Sequence, residues 1–407
     1  MTFKTNWLSG ETGHTAAHNE IGTALNAYAA TLQTSGALTP TGGDDSAMVQ
    51  DAINTYSVVN FGPGVFRCSA VTIPSNRKLH GYGWATQIYD FTATDDDQNG
   101  QVPWAVPEVF QLTENTSRVI ISDMAFTGRH LSGWTNAQMA SIGIRGIACA
   151  DVMIKDCLFE NLVGFSVHQE GFGYNTLVKD CTFRNTGNGL NINGASMRQV
   201  GNYMYHCEGI ECSGPGSTVE GNQIEDCYTS GISVGGSVYQ GRGMTVRGNV
   251  IRNTTGASCI GIALGDGLQD CVIDGNIITG PGVEYSPAIV ATVGDFHGMK
   301  GIVVSNNHIS DYSRGIYISD ENAPGLSIQD VSIQNNRIGY EADTDVDFPI
   351  VIGVPNVLIQ GNFARGINSD VYLMPTAVST RLWRNDIRAD RVTVSEGATI
   401  AAEPVIG

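Results

Sequence analysis

The stretch Ser217–Cys227 reads STVEGNQIEDC, and two later segments repeat its pattern: MTVRGNVIRNT from Met244 and CVIDGNIITGP from Cys271. Each segment alternates apolar and polar residues, continues with Gly-Asn, and has an Ile two positions after the Asn. Weaker copies occur along most of the chain. The Asn, or the residue in its place, falls at Met124, Cys157, Cys181, Asn202, Asn222, Asn249, Asn276, Asn307, Asn336, Asn362 and Asn385.

Successive copies are 20 to 33 residues apart, and self-similarity with a period in this range is the signature of a solenoid. Each copy is short, rich in β-branched residues and alternating, which predicts strands. No segment between the copies has a helical apolar stripe, and the L-x-x-L-x-L pattern of leucine-rich repeats is absent. The sequence therefore predicts an all-β fold, a parallel β-helix of about eleven coils.

The Gly-Asn pair marks the corner between two strands of a coil. Asn tolerates the left-handed backbone conformation, so we expect it to adopt that conformation at the corner. Stacked Asn side chains can also hydrogen-bond from coil to coil. The Ile two positions further on should face the core, where we expect a stack of Ile224, Ile251, Ile278, Ile309 and Ile338.

Composition limits the classes of protein that fit. The chain has 50 Gly in 407 residues and a net charge of −18, so its surface should repel nucleic acid and anionic membranes. No basic-then-apolar segment opens the sequence, which predicts synthesis in the cytoplasm without a signal peptide. Nine Cys residues, several of them at equivalent positions of adjacent coils, predict buried thiols in place of a disulfide framework.

The segment Thr41–Gly83 predicts how the solenoid begins. Asp44, Asp45 and Ser46 offer a helix N-cap, and an apolar face follows, so we expect a capping helix from about Ser46 to Tyr56. The run Asp-Asp-Ser-x-x-x-Gln-x-Ala-Ile, followed by a strand, Pro-Gly-x-Phe and Gly-x-Gly, resembles the pectin-lyase-like right-handed β-helix proteins. That resemblance implies a right-handed solenoid over residues 61–390, a capping helix within 41–60, and a C-terminal strand or tail over 391–407.

The first forty residues contain NWLSGETGHTAAHNEIGTALNAYAATLQ (Asn6–Gln33). This segment resembles the N-terminal part of tail-fibre and tailspike proteins of phages that infect actinobacteria. The resemblance implies a tail-attachment and trimerisation segment over residues 1–40, a homotrimer, phage tail or baseplate partners, a virion location, and a host surface polysaccharide as the ligand. The apolar stripe at Ile21, Ala24, Leu25, Tyr28 and Leu32 fits a helix that packs in a trimer.

Polar residues gather on the outward side of one strand in four consecutive coils. The predicted outward column contains Arg145, Ser166, His168, Asn191, Asn193 and Glu211, with Glu170 just beyond His168. We expect Glu211 to be a catalytic carboxylate with Glu170 or Asp226 as its partner. Two coils separate Glu170 and Glu211 by about 9–10 Å, close to the roughly 6.5–9.5 Å of inverting glycosidases. Arg145, His168, Asn191 and Asn193 would bind substrate, and a plain solvated sheet is the alternative.

Two insertions add further candidates. The longest step between copies contains Trp134, which we expect to stack on a sugar ring. The other insertion has Asp95, Asp97 and Asn99 in the opening pattern of a calcium loop, but Val106 stands where that pattern needs Glu. No cofactor is expected. A Ca²⁺ loop and a solvated acidic loop are the alternatives for this insertion.

Three functions remain open from the sequence. The first is a tailspike that hydrolyses a neutral envelope polysaccharide with a carboxylate pair. The second is a receptor-binding spike of the same fold without activity. The third is a β-helix polysaccharide lyase or fructan transferase. The scarcity of Lys and Arg near the polar column disfavours the lyase.

Overall fold

The computed structural model describes residues 34–90, 108–128, 142–162, 164–235, 241–253, 259–280, 286–294, 297–320, 327–339 and 346–401. Within these ranges the strands stack in parallel along three faces, which we call sheets I, II and III. Sheets I and III are joined into one 27-stranded sheet, and sheet II has twelve strands. A complete coil contributes one strand to each face in the order I, II, III. The prediction of a parallel β-helix is confirmed. The predicted tail-attachment helix between Ile21 and Leu32 lies outside the described residues.

Sheet I precedes the Gly-Asn corner of each coil. Its strands are Thr34–Leu38, Val58–Phe61, Arg77–His80, Ser117–Ser122, Ala150–Lys155, Leu177–Lys179, Arg198–Val200, Thr218–Glu220, Thr245–Arg247, Val272–Asp274, Val303–Ser305, Ser332–Gln334, Leu358–Gln360 and Arg381–Trp383. Sheet II follows that corner. Its strands are Gly64–Cys68, Thr86–Asp90, Ala125–Thr127, Leu158–Glu160, Thr182–Arg184, Tyr203–Tyr205, Gln223–Glu225, Val250–Arg252, Ile277–Thr279, His308–Ser310, Arg337–Ile338 and Phe363–Ala364.

Sheet III completes each coil and carries the predicted polar column. Its strands are Val71–Ile73, Glu108–Leu112, Ile142–Ile147, Phe165–Tyr174, Asn188–Ala195, Glu208–Ser213, Ser230–Gly235, Ile260–Leu264, Pro287–Thr292, Arg314–Ser319, Phe348–Gly353, Val371–Leu373 and Val392–Val394. The strands Met299–Lys300 and Ile328–Gln329 form a small separate pair. Short 3-10 helices span Gly83–Ala85 and Ala389–Arg391.

The number of coils differs slightly from the prediction. Sheet II has twelve strands in the described part of the chain, whereas the repeats predicted about eleven coils. The strands Gly64–Cys68 and Thr86–Asp90 belong to coils whose corners lack the Asn, so the repeat does not reveal them. At the other end, Asn385 leads only into an isolated bridge between Phe363 and Asp386.

The core is a set of stacks that run along the solenoid. The five Ile residues predicted to face inward are all fully buried, which confirms the predicted register of sheet II. In earlier coils the same stack is aromatic: the rings of Phe126 and Phe159, and those of Phe159 and Phe183, lie face to face with centroids 5.0 Å apart. Burying one such side chain contributes about 1.5–3 kcal/mol, and every coil repeats the contribution.

The repeated Asn residues form a buried hydrogen-bond ladder. Asn222 Nδ2 donates to Asn249 Oδ1 at 2.9 Å and to the Gln199 carbonyl at 3.0 Å, and the Asn222 backbone N–H donates to the same Asn249 oxygen. The pattern repeats from Asn202 to Asn385. Each side chain thereby satisfies buried polar groups that the corner would otherwise leave unpaired.

The expected left-handed conformation does not fall on the ladder Asn. It falls on the residue before it, as in Gly221 with φ 63°, Gly248 with φ 62° and Gly275 with φ 62°. Gly suits this conformation because it has no Cβ, and Asn306 and Asn335 take the same position in later coils. The two residues of the corner thus have different roles. The first adopts the left-handed conformation that turns the chain, and the second, the Asn, hydrogen-bonds to the neighbouring coils.

The capping helix spans Ser46–Thr55 and buries Val49, Ala52 and Ile53 against the first coil. Asp44 Oδ1 accepts the Ser46 N–H at 2.9 Å. Asp45 is buried, and its carboxylate accepts hydrogen bonds from Thr41 and from the Arg67 N–H. Strand Thr34–Leu38 pairs with Val58–Phe61. The solenoid therefore begins within residues 1–40, which the sequence analysis assigned to the N-terminal segment.

All nine Cys residues are buried with free thiols, as predicted. Burial raises the pKa of Cys149 to about 11, which keeps its thiol protonated and unreactive. At the positions equivalent to the ladder Asn, the Cys157 thiol donates to the Lys155 carbonyl and the Cys181 thiol to the Lys179 carbonyl. In the part of the chain that the structure describes, no helix is long and apolar enough to cross a membrane.

Replacing Asn249 by Leu should lower the free energy of unfolding by about 2–5 kcal/mol, because the Asn222 N–H and the Val219 carbonyl lose buried partners. Guanidinium unfolding followed by tryptophan fluorescence measures the loss. The same substitution at Asn54, an exposed residue of the capping helix, should change stability by no more than about 0.5 kcal/mol. Equal stability of the two variants would show that the ladder does not hold the coils together.

Candidate functional site

The predicted polar column exists on the outer face of sheet III. Strand pairing aligns Arg145 with His168, His168 with Asn191, Asn191 with Glu211, and Glu211 with Ser233. Beyond Ser233 the column becomes apolar, through Ala263 and Val290. Polar chemistry is therefore concentrated on the first half of this face.

Ser166, which the sequence predicted to face outward, is fully buried. Sheet III strands break strict alternation at one point, where two consecutive residues face the core. In strand Glu208–Ser213 these residues are Gly209 and Ile210, and a Cβ on Gly209 would overlap the Gly231 carbonyl of the next coil. Ser166 occupies the Gly position in its own coil, so it lies inside.

The same bend brings Glu208 to the outer face beside Glu211, a placement that strict alternation does not predict. Glu208 is half-buried and Glu211 is exposed. Burial raises the pKa of the Glu208 carboxyl, with hydrogen bonding to Thr229 acting in the opposite direction. Partial desolvation, and then repulsion from Glu208, raise the pKa of Glu211. The structure thus brings together two carboxyl groups that each favour the protonated form more than a free Glu does.

Amide side chains of the preceding strand support both carboxylates. Asn188 Nδ2 donates to Glu208 Oε2 at 3.1 Å, and Asn191 Nδ2 donates to Glu211 Oε2 at 2.7 Å. Asn193, which the sequence also predicted as a binding residue, donates to Asn191 Oδ1 at 3.2 Å. These three amides and two carboxylates form a continuous polar surface across two coils, which we call the Glu208–Glu211 surface.

Glu170, one of the two predicted partners of Glu211, makes a different contact. Its carboxylate lies 2.9 Å from the Arg145 guanidinium, which also contacts Glu108. Burial opposes the charge of Arg145, but its hydrogen bonds to Glu108 and Glu170 outweigh this and raise its pKa. Glu170 therefore neutralises the charge of Arg145 on the preceding coil and is not the neighbour of Glu211.

His168 packs against the same ion cluster. Its ring stacks on Phe165 with centroids 4.2 Å apart, and its Nδ1 lies 3.5 Å from Glu170 Oε1. Burial lowers the pKa of His168 despite the nearby carboxylate. Only about 9% of the residue is exposed, so His168 packs against its neighbours and presents little surface to solvent.

Asp226, the second predicted partner, is on a corner. It has φ 51° and follows the sheet II strand Gln223–Glu225, so residues 227–229 separate it from the nearest sheet III strand. His206 occupies the same corner one coil earlier, with φ 53°. Asp226 therefore belongs to the turn between sheets and not to the outer face of sheet III.

The remaining candidates lie outside the described residues. These are the sugar platform Trp134 and the weak calcium ligands Asp95, Asp97 and Asn99. In the described ranges no three His, Cys, Asp or Glu side chains are grouped so as to hold a metal ion.

Comparisons with known proteins define the class of fold. The model for the right-handed β-helix region matches residues 142–297, the part of the chain that contains the Glu208–Glu211 surface. The described part of the chain thus has the fold of a right-handed parallel β-helix. Among curated proteins, the uncharacterized protein YclG of Bacillus subtilis is 26% identical over 265 residues. The match spans 57% of this chain but only 40% of YclG.

Solved structures with the same fold are distant in sequence. The A-module of the mannuronan C-5 epimerase AlgE6 from Azotobacter vinelandii is 15% identical with a TM-score of 0.55, over 91% of this chain and 98% of that one. A GH87 α-1,3-glucanase from Streptomyces thermodiastaticus is 16% identical with a TM-score of 0.57, over 91% and 70%. PfbA, a surface adhesin of Streptococcus pneumoniae, is 14% identical with a TM-score of 0.53, over 87% and 91%.

Replacing Arg145 by Met should lower the free energy of unfolding by about 3–5 kcal/mol, because it leaves the carboxylates of Glu108 and Glu170 without their cation. Arg247→Met removes an exposed ion pair with Glu220 and should cost at most about 1 kcal/mol. The Arg145→Met deficit should be smaller at about pH 4 than at about pH 7, since protonated carboxyl groups need no cation. Thermal unfolding across this pH range measures both effects, and a deficit that grows on acidification would contradict the assignment.

Proposed function

We propose that the protein is a phage tailspike that binds and hydrolyses a neutral polysaccharide of a host envelope. The observation that carries this proposal is the Glu208–Glu211 surface. Hydrolysis of a glycosidic bond needs one carboxyl group to protonate the leaving oxygen and a second to activate water or attack the sugar. Two Glu side chains with raised pKa, on an exposed face lined by amides, supply the residues for that reaction.

The raised pKa values suit this chemistry. A general acid must hold its proton near neutral pH, and enzymes commonly achieve this by placing a Glu in a desolvated position beside another carboxylate. Burial raises the pKa of both Glu208 and Glu211, and the charge of Glu208 raises the pKa of Glu211 further.

A neutral glycan fits the charges of this face better than an acidic one. The cation closest in the column, Arg145, is already paired with two carboxylates, and the remaining groups of the surface are amides, hydroxyls and acids. The chain as a whole carries a net charge of −18. A lyase or another enzyme acting on uronates requires positive charge near the sugar carboxylate, so that alternative loses support.

The structural neighbours are compatible with carbohydrate as the ligand, since a glucanase, an epimerase acting on mannuronan and a surface adhesin share the fold. The adhesin makes a binding-only spike the second candidate. Asn188, Asn191 and Asn193 could bind sugar hydroxyls without any cleavage. The proposals of tail attachment and trimerisation rest on residues 1–33, outside the described part of the chain.

Separate Glu208→Gln and Glu211→Gln variants test the proposal. Each substitution keeps the size of the side chain and removes its titration, so each should lower the rate of reducing-end release from envelope polysaccharide by at least about 100-fold. Glycan binding and thermal stability should persist. Glu220→Gln, a change in an exposed ion pair on sheet I, serves as the control and should retain full activity.

Unchanged cleavage by both site variants would exclude this carboxylate pair as the catalyst. If the wild-type protein binds host envelopes and releases no oligosaccharide, the binding-only spike is correct. If the host polysaccharide is cleaved with formation of an unsaturated product that absorbs in the ultraviolet, the lyase alternative is correct.

A further inference from the structure

The Glu208–Glu211 surface contains a chain of hydrogen bonds that ends on one of its two carboxylates. Ser213 Oγ donates to Asn193 Oδ1. Asn193 Nδ2 donates to Asn191 Oδ1 at 3.2 Å, and Asn191 Nδ2 donates to Glu211 Oε2 at 2.7 Å. Ser213 and Glu211 lie on one strand and the two Asn residues on the preceding strand, so the chain leaves the Glu211 strand and returns to it.

When Glu211 is ionised, the donors and acceptors of this series of hydrogen bonds can be arranged in only one order. A carboxylate accepts and cannot donate, so Asn191 must present its NH₂ group to it. The Asn191 oxygen then faces Asn193, which must donate in turn, and the Asn193 oxygen faces Ser213, whose hydroxyl must donate. A hydroxyl can donate or accept, so Ser213 can donate to Asn193 and stabilise this order of donors and acceptors at the end away from Glu211.

We propose that Ser213, Asn193 and Asn191 are positioning residues that keep Glu211 ionised, so that Glu211 is the base of the pair and Glu208 the acid. The role of each carboxyl group rests on the proposed function, whereas the hydrogen-bond chain does not. A hydrogen bond donated to a carboxylate favours its ionised form, which opposes the effects of desolvation and of Glu208 on Glu211.

The two Glu residues differ in exposure and in hydrogen bonding, although burial raises the pKa of both. Glu208 is half-buried, and burial favours the protonated state that an acid needs. Glu211 is exposed, so water can reach it. The titratable groups that face Glu211 are Glu208 on its own strand and His168 two coils away, beside the Arg145 ion cluster. The following strand brings Ser233 to Glu211 and adds no charge.

In the reaction, Glu211 takes a proton from a water molecule as the water oxygen bonds to the anomeric carbon. The bond from that carbon to the glycosidic oxygen breaks, and Glu208 gives its proton to the leaving oxygen. One water is consumed and two sugar hydroxyl ends are formed. Afterwards Glu211 is protonated and Glu208 ionised, and exchange of protons with solvent restores the starting state.

Ser213→Ala tests the chain without touching either carboxylate. Loss of the terminal donor frees the Asn193 and Asn191 amides to rotate and to turn an oxygen toward Glu211, which should raise the pKa of Glu211 by about 0.5–1 unit. Carboxyl ¹³C NMR titration of protein labelled at Glu measures this value, with the Glu211 signal assigned from Glu211→Gln. The matched control is Ser233→Ala, because Ser233 flanks Glu211 on the other side and is not part of the chain.

The proposal expects a shift in Ser213→Ala and none in Ser233→Ala. Equal titration of Glu211 in the two variants overturns the positioning role, whether or not the protein is an enzyme. On an active wild-type protein, the acidic limb of kcat/KM should move to higher pH in Ser213→Ala by the same amount, because the base must be ionised. If the maximal kcat/KM falls in Ser213→Ala and the pKa of its acidic limb is unchanged, Ser213 has only a structural role. If the pKa of the acidic limb matches that of Glu208 in place of Glu211, the roles of the two Glu residues are reversed.

Discussion

Stacking of one coil on the next is the constraint on which the rest of the structure depends. A parallel strand pair fixes the distance between coils at about 4.8 Å, so every side chain that faces its equivalent in the next coil must tolerate that distance. Phe rings satisfy it by lying face to face, Ile by packing in columns, and Asn by hydrogen bonding. Among the charged residues, Glu220 and Arg247 satisfy it as partners of opposite sign in an ion pair.

The fixed distance between coils also determines which residues meet on the outer face of sheet III. Its functional groups come from consecutive coils, and residues far apart in sequence become neighbours because strand pairing aligns them. Amides and carboxylates stand in the same columns because Asn can donate to Glu in the next coil. A solenoid builds a polar site from pairs of this kind without any dedicated loop.

The sequence predicted much of the fold, since each coil repeats the same physical requirements. The Ile column, the corner Asn residues and the order of Arg145, His168, Asn191 and Glu211 all follow from periodicity. Two local features did not follow. The left-handed conformation fell on Gly221 and its equivalents, because the Asn was needed for the ladder. The double inward step at Gly209 and Ile210 moved Ser166 inside and Glu208 outside. The recurrence of Gly before an apolar residue in these strands is the signal that could have revealed the step.

The corner between sheets I and II has two residues in coil after coil, whereas the connections on either side of sheet III vary in length. The ladder that joins the coils therefore runs along an edge of the solenoid where, from Ser122 onward, the corner keeps one length. Insertions at the other connections leave the ladder intact, and whole coils can be duplicated or lost without altering it. Such an architecture separates the residues on the outer face of sheet III from the contacts that hold the scaffold together, so the outer face can change while the coils stay joined.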